Sequence, residues 1–190
     1  MTTTSFTRFA GWCAYAAAAA TVLGLITLIG FFIFGGALGL INDLLSIVSA
    51  LTGIALIVQL HAMHRRASPA LSSAGLVLGV LGGLLSAFVQ TLLVLGVIVY
   101  EQTAILSPAG FSIFGAGLAL FSALSLSQGV LPRRLGVWGL IGGAGYVLLI
   151  VGIALGGLEH PVTGIGGFLA AIFYTMWTIG FGGHLLRGHG

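Results

Sequence analysis

Long stretches without a charged residue constrain this sequence more than any other feature. Between Arg8 and Asp43 lie 34 uncharged residues, and another 34 separate Arg66 from Glu101. A helix needs about 20 apolar residues to cross the hydrocarbon core of a bilayer. Each stretch is therefore long enough for one membrane-spanning helix, and the outside of the folded chain must face lipid.

The rest of the chain follows the same pattern. Only 5% of the 190 residues are charged, whereas an ordinary soluble domain has about 25%. A soluble fold is therefore excluded. Backbone groups in hydrocarbon must bond within their own segment, which favours helices. The sequence predicts a single all-α integral membrane bundle of six transmembrane helices, at about residues 9–34, 40–63, 70–99, 106–128, 136–157 and 162–186.

The N-terminal segment has two interpretations. A basic residue, an apolar stretch and the small residues 16–20 are typical of a cleaved signal peptide. The apolar stretch from Phe9 to Phe34 is 26 residues long, and a secretory signal has an apolar region of only about 7–15 residues. We therefore expect an uncleaved first helix.

The arginines predict the orientation of the bundle. If the N-terminus is cytoplasmic, all six arginines fall on the cytoplasmic side, as the positive-inside rule requires. In the same orientation of the chain, Asp43, Glu101 and Glu159 fall on the opposite side of the membrane. We expect both termini in the cytoplasm and the chain in the inner (plasma) membrane. The arginines are scattered at segment ends, so a nucleic-acid partner is not expected.

Seven glycines recur at helical spacing on the third and fifth predicted helices. They are Gly75, Gly79, Gly83, Gly139, Gly143, Gly152 and Gly156. Small residues at this spacing let a second helix approach closely. We interpret them as helix contacts within the chain; the alternatives are a seam between two copies and a groove for a flat ligand.

A family resemblance rests on two segments. Residues 131–140, LPRRLGVWGL, form a predicted turn and a glycine-rich helix, and residues 176–187 close the last helix. In these segments, and more weakly in the turn at Ser68 and Pro69, the chain resembles a prokaryotic family of small multi-pass membrane proteins of unknown function. The resemblance covers mainly the last three helices. It implies a membrane protein and supplies no catalytic residues.

Two histidines suggest a cofactor. His61 and His184 each precede an arginine of the cytoplasmic side by three or four residues, so they are expected at similar depth. Ligation of a b-type haem needs two histidines on facing helices, and His64 is a further possible ligand. The alternative is a histidine that keeps its polar edge in the membrane interface. We expect no bound cofactor, with haem b as the alternative, and no metal.

A possible ion or transport site consists of Asp43, Gln90 and Glu101. An ionisable residue inside a membrane is usually functional, and the loop beside Asp43 is short and apolar. A second possibility is that Asp43, Glu101 and Glu159 converge with His160 on a cation. The alternative is that these acids are solvated loop residues. Asn42, Ser46 and Ser49 share one face of the second helix, and with Gln90 they suggest a weakly polar cavity; hydrogen bonds between helices are the alternative.

Catalytic motifs are missing from the sequence. The chain contains no lysine, which excludes a P-loop and a retinal Schiff base. The serines stand in apolar stretches where no base is expected within reach. We expect a non-enzymatic subunit or scaffold that packs against membrane lipids, other membrane proteins or a second copy of itself. The alternatives are a small-solute or proton transporter using Asp43, Gln90 and Glu101, and a b-type haem protein using His61 and His184.

Overall fold

Six long helices make up the structure. The structure, a computed structural model, describes residues 3–188. The helices are α1 (Thr3–Phe34), α2 (Ala37–His64), α3 (Pro69–Val94), α4 (Tyr100–Gln128), α5 (Arg133–Gly156) and α6 (Pro161–Leu186). Each is long and apolar enough to cross a membrane. The prediction of an all-helical bundle with six such helices is confirmed.

The helices form a closed ring. Consecutive helices pack side by side in opposite directions, and α6 packs against α1. One end of the ring, the basic end, carries the start of α1, the end of α6 and all six arginines. The other, the acidic end, carries Asp43, Glu101 and Glu159. The fold therefore separates positive from negative side chains along its long axis.

Helix α3 is shorter than predicted. It ends at Val94, whereas the predicted helix runs to residue 99. The Gly96 backbone has a φ of 69°, a conformation that glycine adopts without steric cost. The Gly96 N–H donates to Leu93 O and the Val97 N–H to Leu92 O, both at 2.9 Å. This pair of bonds is the Schellman arrangement that ends a helix.

Four other helices begin earlier than predicted. Helices α1, α2, α4 and α5 start three to six residues before the predicted positions. At α4, the Gln102 side chain accepts a hydrogen bond of 3.1 Å from the Val99 N–H, which satisfies one free amide of the first turn. The apolar pattern indicates where a helix enters lipid, and these helices extend beyond that point into the interface.

Glycines bring the backbones of neighbouring helices into direct contact. A Cβ built on Gly117 of α4 would lie 2.7 Å from Gly79 N and 2.8 Å from Gly75 O of α3. On the other side of α4, a Cβ on Gly115 would lie 2.7 Å from Gly143 O of α5. No larger residue fits at these points, so α4 is held between α3 and α5 at the closest distance that two helices can reach.

The seven glycines of the predicted packing motif are used inside the chain. All but Gly156 are buried, and each of the buried six would meet an atom of another helix if it carried a Cβ. Gly156 is exposed and lies beside the His160 ring across the turn between α5 and α6. The six buried positions therefore leave no surface for a second copy or a flat ligand.

Large side chains fill the ring at the basic end. Tyr174 stacks on Trp177 with a centroid distance of 6.0 Å, and Trp177 stacks on Phe181 at 4.9 Å. All three are at most 1% exposed, and Leu60 and Phe121 are buried in the same cluster. The interior of this half of the bundle is closed.

We predict that Gly117→Ala destabilises the bundle by about 1–3 kcal/mol, because the added methyl group must push two helix backbones apart. Thermal unfolding in detergent, followed by tryptophan fluorescence, measures the loss. Gly164→Ala on α6 is the matched control, since a Cβ there meets no atom within 4 Å. An equal loss of stability in the two variants would contradict the role of close backbone contact.

Candidate functional site

The acidic half of the ring contains an open cavity, which we call the vestibule. Its volume is about 170 Å³, and α1, α2, α4, α5 and α6 all contribute to its wall. Its polar lining consists of Thr21, Asn42, Ser46, Ser49 and Tyr146. An engineered cavity of about 150 Å³ in another protein binds benzene. The vestibule is thus large enough for one ring or an equally small group.

The vestibule exists because α1 and α6 touch closely only near the basic end. There, a Cβ on Gly182 would lie 3.1 Å from Ala14 Cβ and 3.0 Å from Gly11 O. In the acidic half, a Cβ on Gly164 would meet nothing within 4 Å, and one on Gly167 would meet only a side chain of α5. The two helices therefore close the ring at one end and leave it open at the other.

The sequence of α1 explains this change along its length. Its first half contains the buried small residues Ala10, Ala14 and Ala17, which allow α6 to approach. From Val22 onward its apolar side chains are mostly large and exposed, as Ile29 and Phe32 are. Bulky side chains cannot form the close contact that alanine and glycine allow.

Tyr146 of α5 provides a free hydrogen-bonding group in the vestibule. The residue is 9% exposed, and its ring stacks on Phe111 with a centroid distance of 5.7 Å and an interplanar angle of 15°. Among residues 3–188 its hydroxyl has no hydrogen-bond partner. Gln90 Oε1 and Trp177 Nε1 also lack partners but are sealed in protein, whereas Tyr146 lines the cavity.

The other polar groups of the vestibule are uncharged. Thr21 Oγ1 donates to Ala17 O at 2.8 Å and lies 3.3 Å from Ser49 Oγ. Ser46 has no hydrogen bond from its side chain within the described chain. A wall of hydroxyl groups and one amide offers hydrogen bonds but no counter-ion. Because burying an unpaired charge is costly, the lining favours a neutral ligand.

Asp43 lies next to the vestibule. A second cavity of about 300 Å³ at the acidic end is bordered by Asp43 and Tyr100, and it shares Leu28 and Asn42 with the vestibule. Asp43 is partly exposed, at the edge of the bundle. Its carboxylate is therefore the charged group closest to the vestibule among the three acids placed at this end.

Gln90 and Glu101 do not share a site with Asp43. Gln90 is buried between α3 and α4, where its Nε2 donates to Ser107 Oγ at 3.0 Å. Glu101 is exposed in the first turn of α4. The predicted transport site is thus divided among a cavity, a helix interface and the surface. The weakly polar cavity predicted from Asn42, Ser46 and Ser49 is present, but Gln90 is not part of it.

The two histidines predicted as haem ligands lie on helices that are not adjacent in the ring. Ser72 Oγ of α3 is 2.8 Å from His61 Nδ1, so His61 lies between α2 and α3. His184 belongs to α6, whose neighbours in the described chain are α1 and α5. Bis-histidine ligation needs facing helices. One ring nitrogen of His61 is thus taken by Ser72, and haem binding by His61 and His184 stays a prediction.

His64 links α2 to α4. The residue is fully buried; its Nδ1 lies 2.8 Å from Leu60 O and its Nε2 lies 2.9 Å from Ser125 Oγ. Ser125 Oγ also lies 2.9 Å from Phe121 O of its own helix, so its single proton serves either that carbonyl or His64. The expectation that no serine has a base within reach is therefore wrong. Ser125 is only 1% exposed but borders a cavity of about 540 Å³ at the basic end. The pair connects two helices there.

The outer acids form no metal-binding cluster with His160. Within residues 3–188, no three side chains of His, Cys, Asp or Glu lie close enough together to hold one ion. His160 instead caps α6, where its Nδ1 accepts a hydrogen bond of 3.3 Å from the Val162 N–H. His160 therefore serves to satisfy a free backbone N–H in the first turn of α6.

We predict that Ser125→Ala lowers the free energy of unfolding by about 1–3 kcal/mol, because it leaves a buried nitrogen of His64 without a partner. Chemical or thermal unfolding in detergent gives the value. Ser127→Ala is the control: Ser127 is exposed on the same helix and bonds only to Leu124 O. A change of less than about 0.5 kcal/mol for Ser125→Ala would contradict the proposed link.

The chain was compared with protein-family models, curated proteins and solved structures. None of them matches it. The conclusions about function below therefore depend on the residues and geometry of the chain itself.

Proposed function

We propose that the protein is a non-enzymatic, multi-pass protein of the plasma (inner) membrane that binds a small neutral ligand in the vestibule. In this proposal both termini lie in the cytoplasm and the vestibule faces the opposite side. The segregation of all six arginines to the basic end supports this orientation, because basic residues are retained on the cytoplasmic side.

The observation that carries the proposal is the free hydroxyl of Tyr146 inside a cavity of matching size. Buried hydroxyl groups normally have partners, and a ligand in the vestibule supplies one to Tyr146 in largely apolar surroundings. Phe111 stacks on the same ring, so the vestibule also offers an aromatic surface. A few directed polar groups in a largely apolar pocket are typical of sites for small molecules.

The scaffold hypothesis has less support. It relied on glycine-rich faces, and six of those seven glycines are covered by other helices of the chain. A partner protein or a second copy would have to bind the large aliphatic side chains of the outer surface, which membrane lipids also cover. We therefore place ligand binding ahead of scaffolding.

We predict that Ser46→Cys, in a Cys13→Ala background, reacts with a membrane-impermeant thiol reagent in sealed right-side-out vesicles. The new thiol lines the vestibule, which in the proposed orientation is open to the outside. Ser122→Cys is the matched control, because Ser122 is 2% exposed in the closed half of the bundle and should not react. Mass spectrometry of the intact protein measures the extent of labelling.

Two results would contradict this proposal. Labelling of the Ser46→Cys variant only in inside-out vesicles would reverse the orientation. The vestibule would be shown to be closed if neither variant is labelled in either kind of vesicle. Size-exclusion chromatography would confirm that both variants are folded.

Transport of a small solute or of protons is a second candidate, favoured by the position of Asp43. Its carboxylate borders the cavity that continues into the vestibule. A channel open at both ends is not favoured, since Tyr174, Trp177 and Phe181 fill the basic half. Transport therefore needs a second conformation in which these rings move.

If the transport hypothesis is correct, Asp43→Asn reduces flux into proteoliposomes by at least about tenfold, because the carboxylate is an obligatory stop on the path. Glu159→Gln, which removes an exposed charge at the same end, serves as the control and should leave flux unchanged. Proton flux is followed with a trapped pH-sensitive dye. Flux that is identical in the wild type and in both variants would argue against transport through Asp43.

A further inference from the structure

A groove between α1 and α6 lies beside the vestibule on the outer surface of the bundle. This groove, which we call the lateral groove, has a volume of about 300 Å³. It shares Thr21, Leu25 and Ala171 with the vestibule and adds Val22, Ile26, Ile172, Thr175 and Met176. Because the same three side chains border both, the two spaces lie side by side between α1 and α6.

The lateral groove offers no free polar group. Its two hydroxyl groups are both bonded to carbonyls of their own helices: Thr21 Oγ1 to Ala17 O at 2.8 Å and Thr175 Oγ1 to Ala171 O at 2.7 Å. Each threonine thereby has its donor satisfied within its helix, and the remaining lining is aliphatic or thioether. Such a surface suits a hydrocarbon chain and gives nothing to a polar one.

From these two adjacent spaces we propose the chemical class of the ligand, which would join them through the gap between α1 and α6. It is a neutral amphipath with a head group the size of a single ring, held by Tyr146 and Ser46, and with a hydrocarbon tail that lies in the lateral groove. It reaches the site from the membrane leaflet at the acidic end. This inference rests on the proposed ligand-binding function and narrows it.

The head group and tail occupy sites of opposite character. The vestibule holds two hydroxyl groups without partners, on Tyr146 and Ser46, and the lateral groove holds none. A charged head group would have no counter-ion among the residues that line the vestibule. An ordinary phospholipid therefore does not fit, because its phosphate would be buried without a cation. A small alcohol, phenol or carbonyl compound with an alkyl or prenyl chain fits both spaces.

The test uses protection of the thiol in Cys13→Ala/Leu45→Cys protein reconstituted in liposomes, because Leu45 lines the vestibule but is not one of the proposed head-group contacts. The probes are phenol, 4-octylphenol and octylbenzene, compared at equal mole fractions in the lipid, with octyl sulfate as the charged counterpart. We expect phenol and 4-octylphenol to slow modification by the impermeant reagent. Octylbenzene and octyl sulfate should not, because the first lacks the hydroxyl group and the second carries a charge. Tyr146→Phe should weaken protection by 4-octylphenol about fivefold, the effect of one lost hydrogen bond.

A second variant tests the lateral groove separately. Ile172→Trp fills the groove without adding to the vestibule lining, and we expect it to reduce protection by 4-octylphenol at least about fivefold while protection by phenol is unchanged. Ile165→Trp is the matched control, since Ile165 lies on the exposed surface of the same helix and lines neither space. In this control variant, phenol and 4-octylphenol should protect the vestibule thiol as strongly as in the parent protein.

The possible outcomes separate the two proposals. If phenol protects but Ile172→Trp affects neither probe, the tail site is wrong and ligand binding in the vestibule stands. If neither phenol nor 4-octylphenol protects, the proposed function itself is wrong. If octylbenzene protects as well as 4-octylphenol, the site takes any hydrocarbon and the role of the Tyr146 hydroxyl is overturned.

Discussion

Direct contact between helix backbones, made possible by glycine, holds this bundle together. In lipid there is no hydrophobic force to drive helices together, so close packing and hydrogen bonds must do it. Gly117 and Gly115 put α4 in contact with α3 and α5, and Gly182 lets α6 meet α1 at the basic end. Where α1 and α6 lack such a contact, in the acidic half, the ring opens. The same interaction therefore explains both the rigid half of the molecule and the cavity in the other half.

Polar side chains are distributed in the same way. In the closed half two histidines are paired across helices, His64 with Ser125 and His61 with Ser72, and these pairs add direction to contacts that glycine makes close. In the open half Tyr146 and Ser46 lack partners in the described chain. Free hydroxyl groups in a cavity of this size are the basis of the proposed ligand-binding function.

The sequence predicts the fold of this protein far better than its site. Charge-free stretches are long and unambiguous, so the number and approximate positions of the helices follow from counting. The exceptions depend on local turn geometry, as at the end of α3, which stops at Val94 because of the turn at Gly96. The polar face of Asn42, Ser46 and Ser49 predicts a cavity on α2. The sequence does not identify Tyr146 as a site residue, because a lone tyrosine in an apolar helix is typical of a packing residue. The pairing of His64 with Ser125, 61 positions apart, depends on tertiary structure that no spacing rule reveals.

The central claim is that α1 and α6 touch near the basic end and part near the acidic end, and disulfide cross-linking in native membranes tests it most directly. In a Cys13→Ala background, the pair Ala14→Cys and Gly182→Cys should oxidise readily to an intramolecular disulfide, because a Cβ on Gly182 lies 3.1 Å from Ala14 Cβ. The pair Leu25→Cys and Ala171→Cys, which matches the antiparallel register of the first pair and borders both the vestibule and the lateral groove, should stay reduced under the same conditions. Rapid oxidation of the second pair, or failure of the first in folded protein, would contradict the account.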